Sequence, residues 1–211
     1  MNDKTELYIP QHHSVSDWDF EFGADNRSLS PTQFVSAPTS LLFKKPASGV
    51  WMPVILCRHA PTLVLPEGEV RTWVHSYYPH VHPAIFRNQA ALNSANSQNC
   101  YEIYITETHT YLHRYIAGGL SVRASTTGIV SDNQWWHYRT VFWNGETPGH
   151  EDALCVNVFR EVDSAWVQMG GTLYDTSNYW KDSVINRAGF RARSFYDRQQ
   201  YWDDTEIWGP V

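Results

Sequence analysis

The segment that most constrains the fold is Trp135-Trp136-His137-Tyr138-Arg139-Thr140-Val141-Phe142-Trp143. Aromatic and β-branched residues dominate it, and no Gly or Pro interrupts it, so it reads as one long strand. Its rings occupy both parities: Trp135 and Trp143 share one face, while Trp136, Tyr138 and Phe142 share the other. A strand that is apolar on both sides either sits centrally in a layered fold or offers one face as a binding platform.

The rest of the chain repeats shorter versions of this signal. Asp17-Trp18-Asp19-Phe20-Glu21-Phe22 alternates acid and ring, which places the three rings inward and the three acids outward. Further strands are expected at Leu41–Phe43, Val54–Cys57, Leu63–Leu65, Glu69–Tyr78 and Ala84–Arg87. Tyr101–Tyr104 and Thr110–Ile116 read as a hairpin pair closed by Gly118-Gly119, and Leu154–Val167 as an aromatic-rich hairpin region. Ala188–Arg193 and Tyr201–Trp208 follow, while the polar stretch from Ala90 to Asn99 reads as a surface loop. No segment carries sustained apolar spacing at helical period, and no repeat or low-complexity tract divides the chain. The expectation is a short N-terminal extension, residues 1–16, and a single all-β antiparallel sandwich over 17–211.

Composition narrows the partners. The net charge is −6 and the 16 basic residues are scattered, which argues against a phosphate-tracking nucleic-acid surface. No segment is apolar for the ~18 residues that a membrane span needs. Three cysteines without a close pair argue against a disulfide framework or a zinc site. No basic-then-apolar leader opens the chain, so it is expected to be made in a cytoplasm without a signal peptide. Any extracellular role would then use another exit, such as the surface or tail of a virion.

The order of these elements resembles the concanavalin A-like domains, the lectin and laminin-G-like jelly rolls. The likeness is carried by Ala84-Ile85-Phe86-Arg87, Tyr101-Glu102-Ile103-Tyr104, Leu112-His113-Arg114, Trp136-His137, Gly189-Phe190 and Asp203-Asp204-Thr205-Glu206-Ile207, spread over nearly the whole chain. It implies two antiparallel sheets face to face, with Asp17–Phe22 beside Tyr201–Trp208. Laminarinase-like glycoside hydrolases of that superfamily carry a strand similar to E-I-D-I-x-E. Glu102 and Glu107 match its two catalytic glutamates, but Tyr104 stands where the intervening Asp belongs. Retaining chemistry needs two carboxylates ~5 Å apart, and a spacing of five residues puts them on opposite faces of a regular strand. The reading favoured for them is a solvent-facing glutamate and a turn residue.

Other constellations are weighed the same way. His80-Val81-His82 has the i, i+2 spacing of a metal pair on one strand face. Pro79 and Pro83 bracket it and no third ligand is evident, so a loop with two solvated histidines is expected. His137 reads as a packed residue bonded to a neighbouring backbone group. Asp203 and Asp204 offer oxygen ligands for a structural calcium, although adjacent strand residues point to opposite faces. No other cofactor is implied. Ring-plus-amide surfaces suit sugars and protein interfaces alike. On that basis Trp136, Tyr138, Tyr174, Asn178, Trp180 and Tyr201 are the binding candidates. The expected function is a non-catalytic, lectin-like carbohydrate-binding or adhesion domain. The alternatives are an assembly protein that binds partner subunits or oligomerises, and a glycoside hydrolase built on Glu102 and Glu107.

Overall fold

The computed structural model describes residues 4–8, 20–22, 27–36, 39–43, 54–58, 67–77, 80–89, 99–128, 133–146, 148–182, 187–192 and 199–210. All regular structure among them is β-strand, arranged in two antiparallel sheets. The chain runs β1 (Lys4–Tyr8), β2 (Phe20–Phe22), β3 (Arg27–Ser30), β4 (Ser40–Phe43), β5 (Val54–Arg58), β6 (Gly68–Ser76), β7 (Val81–Asn88) and β8 (Cys100–Ile105). It continues with β9 (His109–Ile116), β10 (Gly119–Thr127), β11 (Gln134–Asn144), β12 (Leu154–Val162), β13 (Ala165–Gln168), β14 (Leu173–Asp175), β15 (Arg187–Ala192) and β16 (Gln200–Pro210). The first sheet orders β13-β12-β11-β6-β16-β4-β3, with β1 added to β16 and β14 to β12. The second orders β10-β9-β8-β7-β15-β5-β2.

The expected sandwich is therefore present, and the long strand β11 lies inside the first sheet between β6 and β12. Its parity follows the sequence: Tyr138 and Phe142 are 0% and 1% exposed and face the core, while Trp135 and His137 face outward with the register partners His75 and Trp73. Opposite them, Tyr101, Ile103 and Ile105 of β8 and Ala84 and Phe86 of β7 point inward. Two ring stacks join the sheets, Phe86 on Phe142 at 4.4 Å and Phe190 on Trp202 at 4.2 Å between centroids. Parallel-ring contacts of this kind add to the area that large aromatics bury.

Three details differ from the sequence reading. The strand beside the end of β16 is Lys4–Tyr8, within the stretch read as an extension, whereas Phe20–Phe22 pairs with β5 in the other sheet. Asp17 to Asp19 and the expected strand at Leu63–Leu65 lie outside the described residues, as does most of the loop read from Ala90 to Asn99. The β8–β9 hairpin closes through Thr106, whose N–H reaches the His109 carbonyl at 2.8 Å; Ala117-Gly118 instead opens a further hairpin to β10. Gly118 takes φ 81° there, a conformation that glycine adopts without strain. Strand β10, Gly-Leu-Ser-Val-Arg-Ala-Ser-Thr-Thr, has small residues where a strand usually shows rings, so its pattern is silent.

On the outer side of the first sheet, Glu69 is 0% exposed and bridges two strands. It accepts Arg139 Nε at 2.7 Å and Nη2 at 2.8 Å, and also Arg71 Nε. Burial alone pushes a carboxyl up, but the hydrogen bonds from Arg139 and Arg71, reinforced by their charges, hold Glu69 at about 2. Its folded pKa is lowered, so its contribution is complete above the ordinary value of 4.5 and is lost as pH falls through about 2. That contribution is on the order of 3 kcal/mol. Urea midpoints of the parent and Glu69→Gln should therefore differ most at neutral pH and draw together as pH falls towards about 2; a constant gap would contradict the assignment. In the core, Phe142→Ala should cost about 3–5 kcal/mol in the same assay.

Candidate functional site

Alternation along β8 sends Tyr101, Ile103 and Ile105 into the core, so Glu102 and Tyr104 must face outward. The same rule on β9 turns Leu112 inward and presents His109, Tyr111, His113 and Tyr115 on the outer face of the second sheet. Register places Tyr104 opposite Tyr111, Glu102 opposite His113, and Arg191 of β15 opposite His82 of β7. A register shift between Val81 and Ala84 marks a bulge around His82-Pro83. Pro has no N–H to give the ladder, and a bulge is where a strand tolerates it.

One part of this face is wholly buried. His82, Glu102 and Arg191 are each 0% exposed. Glu102 accepts Arg191 Nη1 on one oxygen and meets His82 Nδ1 on the other. Burial alone lowers the Arg191 pKa, but the charge of Glu102 outweighs it and leaves the guanidinium more firmly protonated than usual. Its carbon lies 4.6 Å over the Tyr115 ring. Such a group is stable inside a protein only while its partner is present.

The accessible part is a row of standing rings. Tyr104 stacks on His82 at 4.6 Å and on Tyr111 at 5.9 Å, and Tyr111 neighbours His109 at 5.7 Å and His113 at 5.8 Å. The Tyr104 hydroxyl shares a hydrogen bond with His80 Nδ1. Burial lowers the His80 pKa and so favours its neutral imidazole, an effect that the charge of Glu107 partly opposes. The row carries hydroxyls and ring nitrogens, of which the Tyr104 hydroxyl and His80 Nδ1 bond each other and His109 Nδ1 meets the Thr108 hydroxyl at 2.9 Å. That row donates and accepts hydrogen bonds, which is what a hydroxyl-rich ligand requires.

The residues expected from sequence distribute differently. Glu102 is the buried partner of Arg191 and His82, while Glu107 is exposed in the β8–β9 turn, so the two carboxylates do not share one space. His80 and His82 are not a solvated loop pair: His82 is enclosed within β7, and both histidines flank Tyr104. Nor do the six binding candidates form a single surface. Tyr138 is fully enclosed in the core, and Trp136 packs against the core with the Arg160 guanidinium 4.2 Å over its ring. Inward parity on β11 encloses Tyr138 and leaves Trp136 only partly exposed. Tyr201 is 5% exposed, edge-on to His75 on the first sheet.

Tyr174, Asn178 and Trp180 do lie close together, in β14 and the turn after it. Tyr174 stacks on His150 at 3.9 Å, and Trp180 packs edge-on against Tyr101 at 5.6 Å. The Asn178 amide is consumed within the protein, accepting from Arg87 and donating to Asn144 at 3.0 Å and to the Asp152 carbonyl. Asp175 beside it collects Tyr101, Arg114 and Arg123 at 2.8, 3.0 and 3.1 Å. This is a clamp that holds the turn against the sandwich.

Asp203 is 2% exposed; it accepts the N–H groups of Val35 and Ser36 at 2.7 and 3.0 Å, and Asp204 bonds the Ser36 hydroxyl. Asp204 has φ 40° at a bulge in β16, so these carboxylates serve a loop. Among the described residues no three His, Cys, Asp or Glu side chains gather as a metal site. His137 is packed as expected, but its partner is the Glu161 carboxylate at 2.6 Å rather than a backbone group.

The outer row on the second sheet escaped the sequence reading although its signal is present. His109-x-Tyr111-x-His113-x-Tyr115 alternates polar rings at period two, the mark of a face that is neither core nor plain solvent. Arg191 carries no such signal, because its partner lies 89 residues away.

The protein is thus a two-sheet β-sandwich with a polar aromatic row across one outer face. Solved structures share this architecture. A protein of unknown function from Shewanella oneidensis MR-1 superposes with TM-score 0.59 at 12% identity, covering 97% of this chain and 85% of that one. The alginate lyase Aly36B, in complex with alginate trisaccharide, gives 0.55 at 8% identity over 100% and 97% of the two chains. A carbohydrate esterase from the Shiga toxin-encoding bacteriophage phi24B gives 0.52 at 13% identity over 99% and 100%. At such identities the likeness is one of fold. No protein-family model matches the sequence, and no curated protein matches it.

The buried pair generates a clear expectation. Glu102→Ala leaves Arg191 charged and enclosed, and should cost about 3–5 kcal/mol in urea unfolding. Glu107→Ala, in its exposed turn, should stay within about 0.5 kcal/mol. Equal effects would remove Glu102 from its structural role.

Proposed function

We propose that this protein is a carbohydrate-binding β-sandwich of the concanavalin A-like kind, taking an oligosaccharide along the outer face of its second sheet. The observation that carries the reading is the row His80, Tyr104, Tyr111 and His109, which lines up hydrogen-bonding edges beside the buried Arg191–Glu102 pair. A buried ion pair below a polar row fixes the geometry of that row without presenting a net charge. Hydroxyls and imidazole nitrogens, which can both donate and accept, suit sugar hydroxyls better than a phosphate chain. Support also comes from the solved structures of the same fold, two of which are of carbohydrate-active proteins. A virion-surface or tail setting is part of this proposal, supported by the bacteriophage origin of one of them.

Binding without catalysis is the primary reading, because Glu102 is engaged on both oxygens and Glu107 stands apart from it. The coupling of the Tyr104 hydroxyl to a neutral His80 favours one second reading, proton transfer at a bound sugar. The same variants test both. Calorimetry against a panel of neutral and acidic oligosaccharides should show binding that Tyr111→Ala weakens at least ten-fold with an unchanged melting temperature. Under the binding reading Tyr104→Phe alters affinity alone, whereas loss of product formation in that variant favours turnover. A panel without a single ligand would overturn the proposal.

A further inference from the structure

Strand β10 borders the polar row, because it pairs with β9 at the end of the second sheet. Its register sets Ser125 opposite Tyr111 and Thr127 opposite His109. Directly opposed residues share a face of the sheet, so both hydroxyls stand on the outer side, beside the row. The register shifts between Val122 and Ala124, and past that bulge Val122 pairs with His113 and Leu120 with Tyr115. Leu120 and Val122 therefore stand on the outer side as well. At 51% and 55% exposed they are the most open large apolar side chains among the described residues. Apolar residues scattered singly are ordinary on a surface, whereas these two are neighbours on one face and adjoin the row.

The outer face of β10 thus changes character at its bulge, with hydroxyls on one side and aliphatic groups on the other. Tyr111 and His113, the β9 residues beside the two halves, lie two residues apart, about 7 Å along the strand. One substituted sugar ring spans that step. Arg123, the only charged residue of β10, is drawn away from this face: its Nε donates to Asp175 at 3.1 Å and its Nη2 to Ser177 at 3.3 Å. Asp175 also receives the hydroxyl of Tyr101, a core residue of β8. We propose that the sugar taken by this face carries a methyl group, in an acetyl or a 6-deoxy substituent, that packs on Val122 and Leu120.

The proposal rests on the carbohydrate reading above and names the class of sugar. Two physical arguments select a methyl. A sugar hydroxyl laid against Val122 and Leu120 gives up hydrogen bonds to water and gains none from an aliphatic side chain, whereas a methyl there only removes apolar surface from water. The patch is also of substituent size: two side chains fall far short of the ~800 Å² per partner that a stable protein interface takes.

The test adds matched pairs to the oligosaccharide panel, read by calorimetry on the intact chain. Chitotetraose and cellotetraose exchange an acetamido group for a hydroxyl. One tetrasaccharide ending in L-rhamnose or in L-mannose exchanges a 6-methyl for a 6-hydroxymethyl. The parent should bind the methyl-bearing member of one pair at least about four-fold tighter, the worth of one buried methyl, and the pair that shows it tells acetyl from deoxy. Val122→Thr keeps the β-branched shape. It should abolish the preference while leaving the melting temperature and the affinity for the hydroxylated member unchanged. Val167→Thr, at a position 50% exposed on the first sheet, should retain the preference. Equal affinity within both pairs, blank pairs on a panel that does yield a ligand, or a preference that survives Val122→Thr overturns this proposal and leaves the carbohydrate reading standing. A panel without any ligand overturns both.

Discussion

The outer faces of the two sheets depend on ring stacking between them. Phe86 on Phe142 and Phe190 on Trp202 tie central strands of one sheet to central strands of the other. Once those rings face inward, alternation leaves no choice for their neighbours. Tyr101, Ile103 and Ile105 must be core, hence Glu102 and Tyr104 must be outside; Tyr138 and Phe142 must be core, hence His137 and Arg139 must be outside. A slip of one residue would exchange the faces and bury charges without partners. The functional faces are thus consequences of core parity.

Both outer faces are more aromatic than solvent exposure alone favours, and each manages its buried charge in the same way. On the first sheet one carboxylate, Glu69, serves two arginines; on the second, Glu102 serves an arginine and a histidine. Desolvation of each charge is offset by charge-assisted hydrogen bonds, from Arg139 on the strand next to Glu69 and from Arg191 across β7 to Glu102. The arrangements differ in what neighbours the rings. Guanidinium groups lie against Trp208 and Phe159 on the first sheet, whereas tyrosines and histidines neighbour one another on the second.

A sandwich of this kind is a scaffold on which several activities are built, so fold likeness carries little about chemistry. The inference to carbohydrate rests on the side chains of one face and draws only support from the proteins that share the architecture. The separation of Glu102 from Glu107 shows why a motif needs its geometry: the spacing is present in the sequence, yet one carboxylate is locked and the other stands in a turn.

Local alternation by itself determined the all-β class, the division of β11 side chains between two faces, and the hairpin of β12 and β13, because side-chain period is a property of the strand and needs no partner. Strand β10 was not legible, since Ser, Ala, Thr and Gly are small enough to serve as strand or loop. The clamp around Asn178 and the burial of Tyr138 were equally hidden, because an aromatic or an amide reads the same in sequence whether it meets a ligand or its own protein. Only the tertiary structure decided that Lys4–Tyr8 lies against β16, that Arg191 meets Glu102, and that His80 and His82 flank one tyrosine. Those contacts join residues far apart in the chain, and their positions are set by the order in which strands pair. That order is a collective outcome of burial and hydrogen bonding over both sheets, and no single segment encodes it.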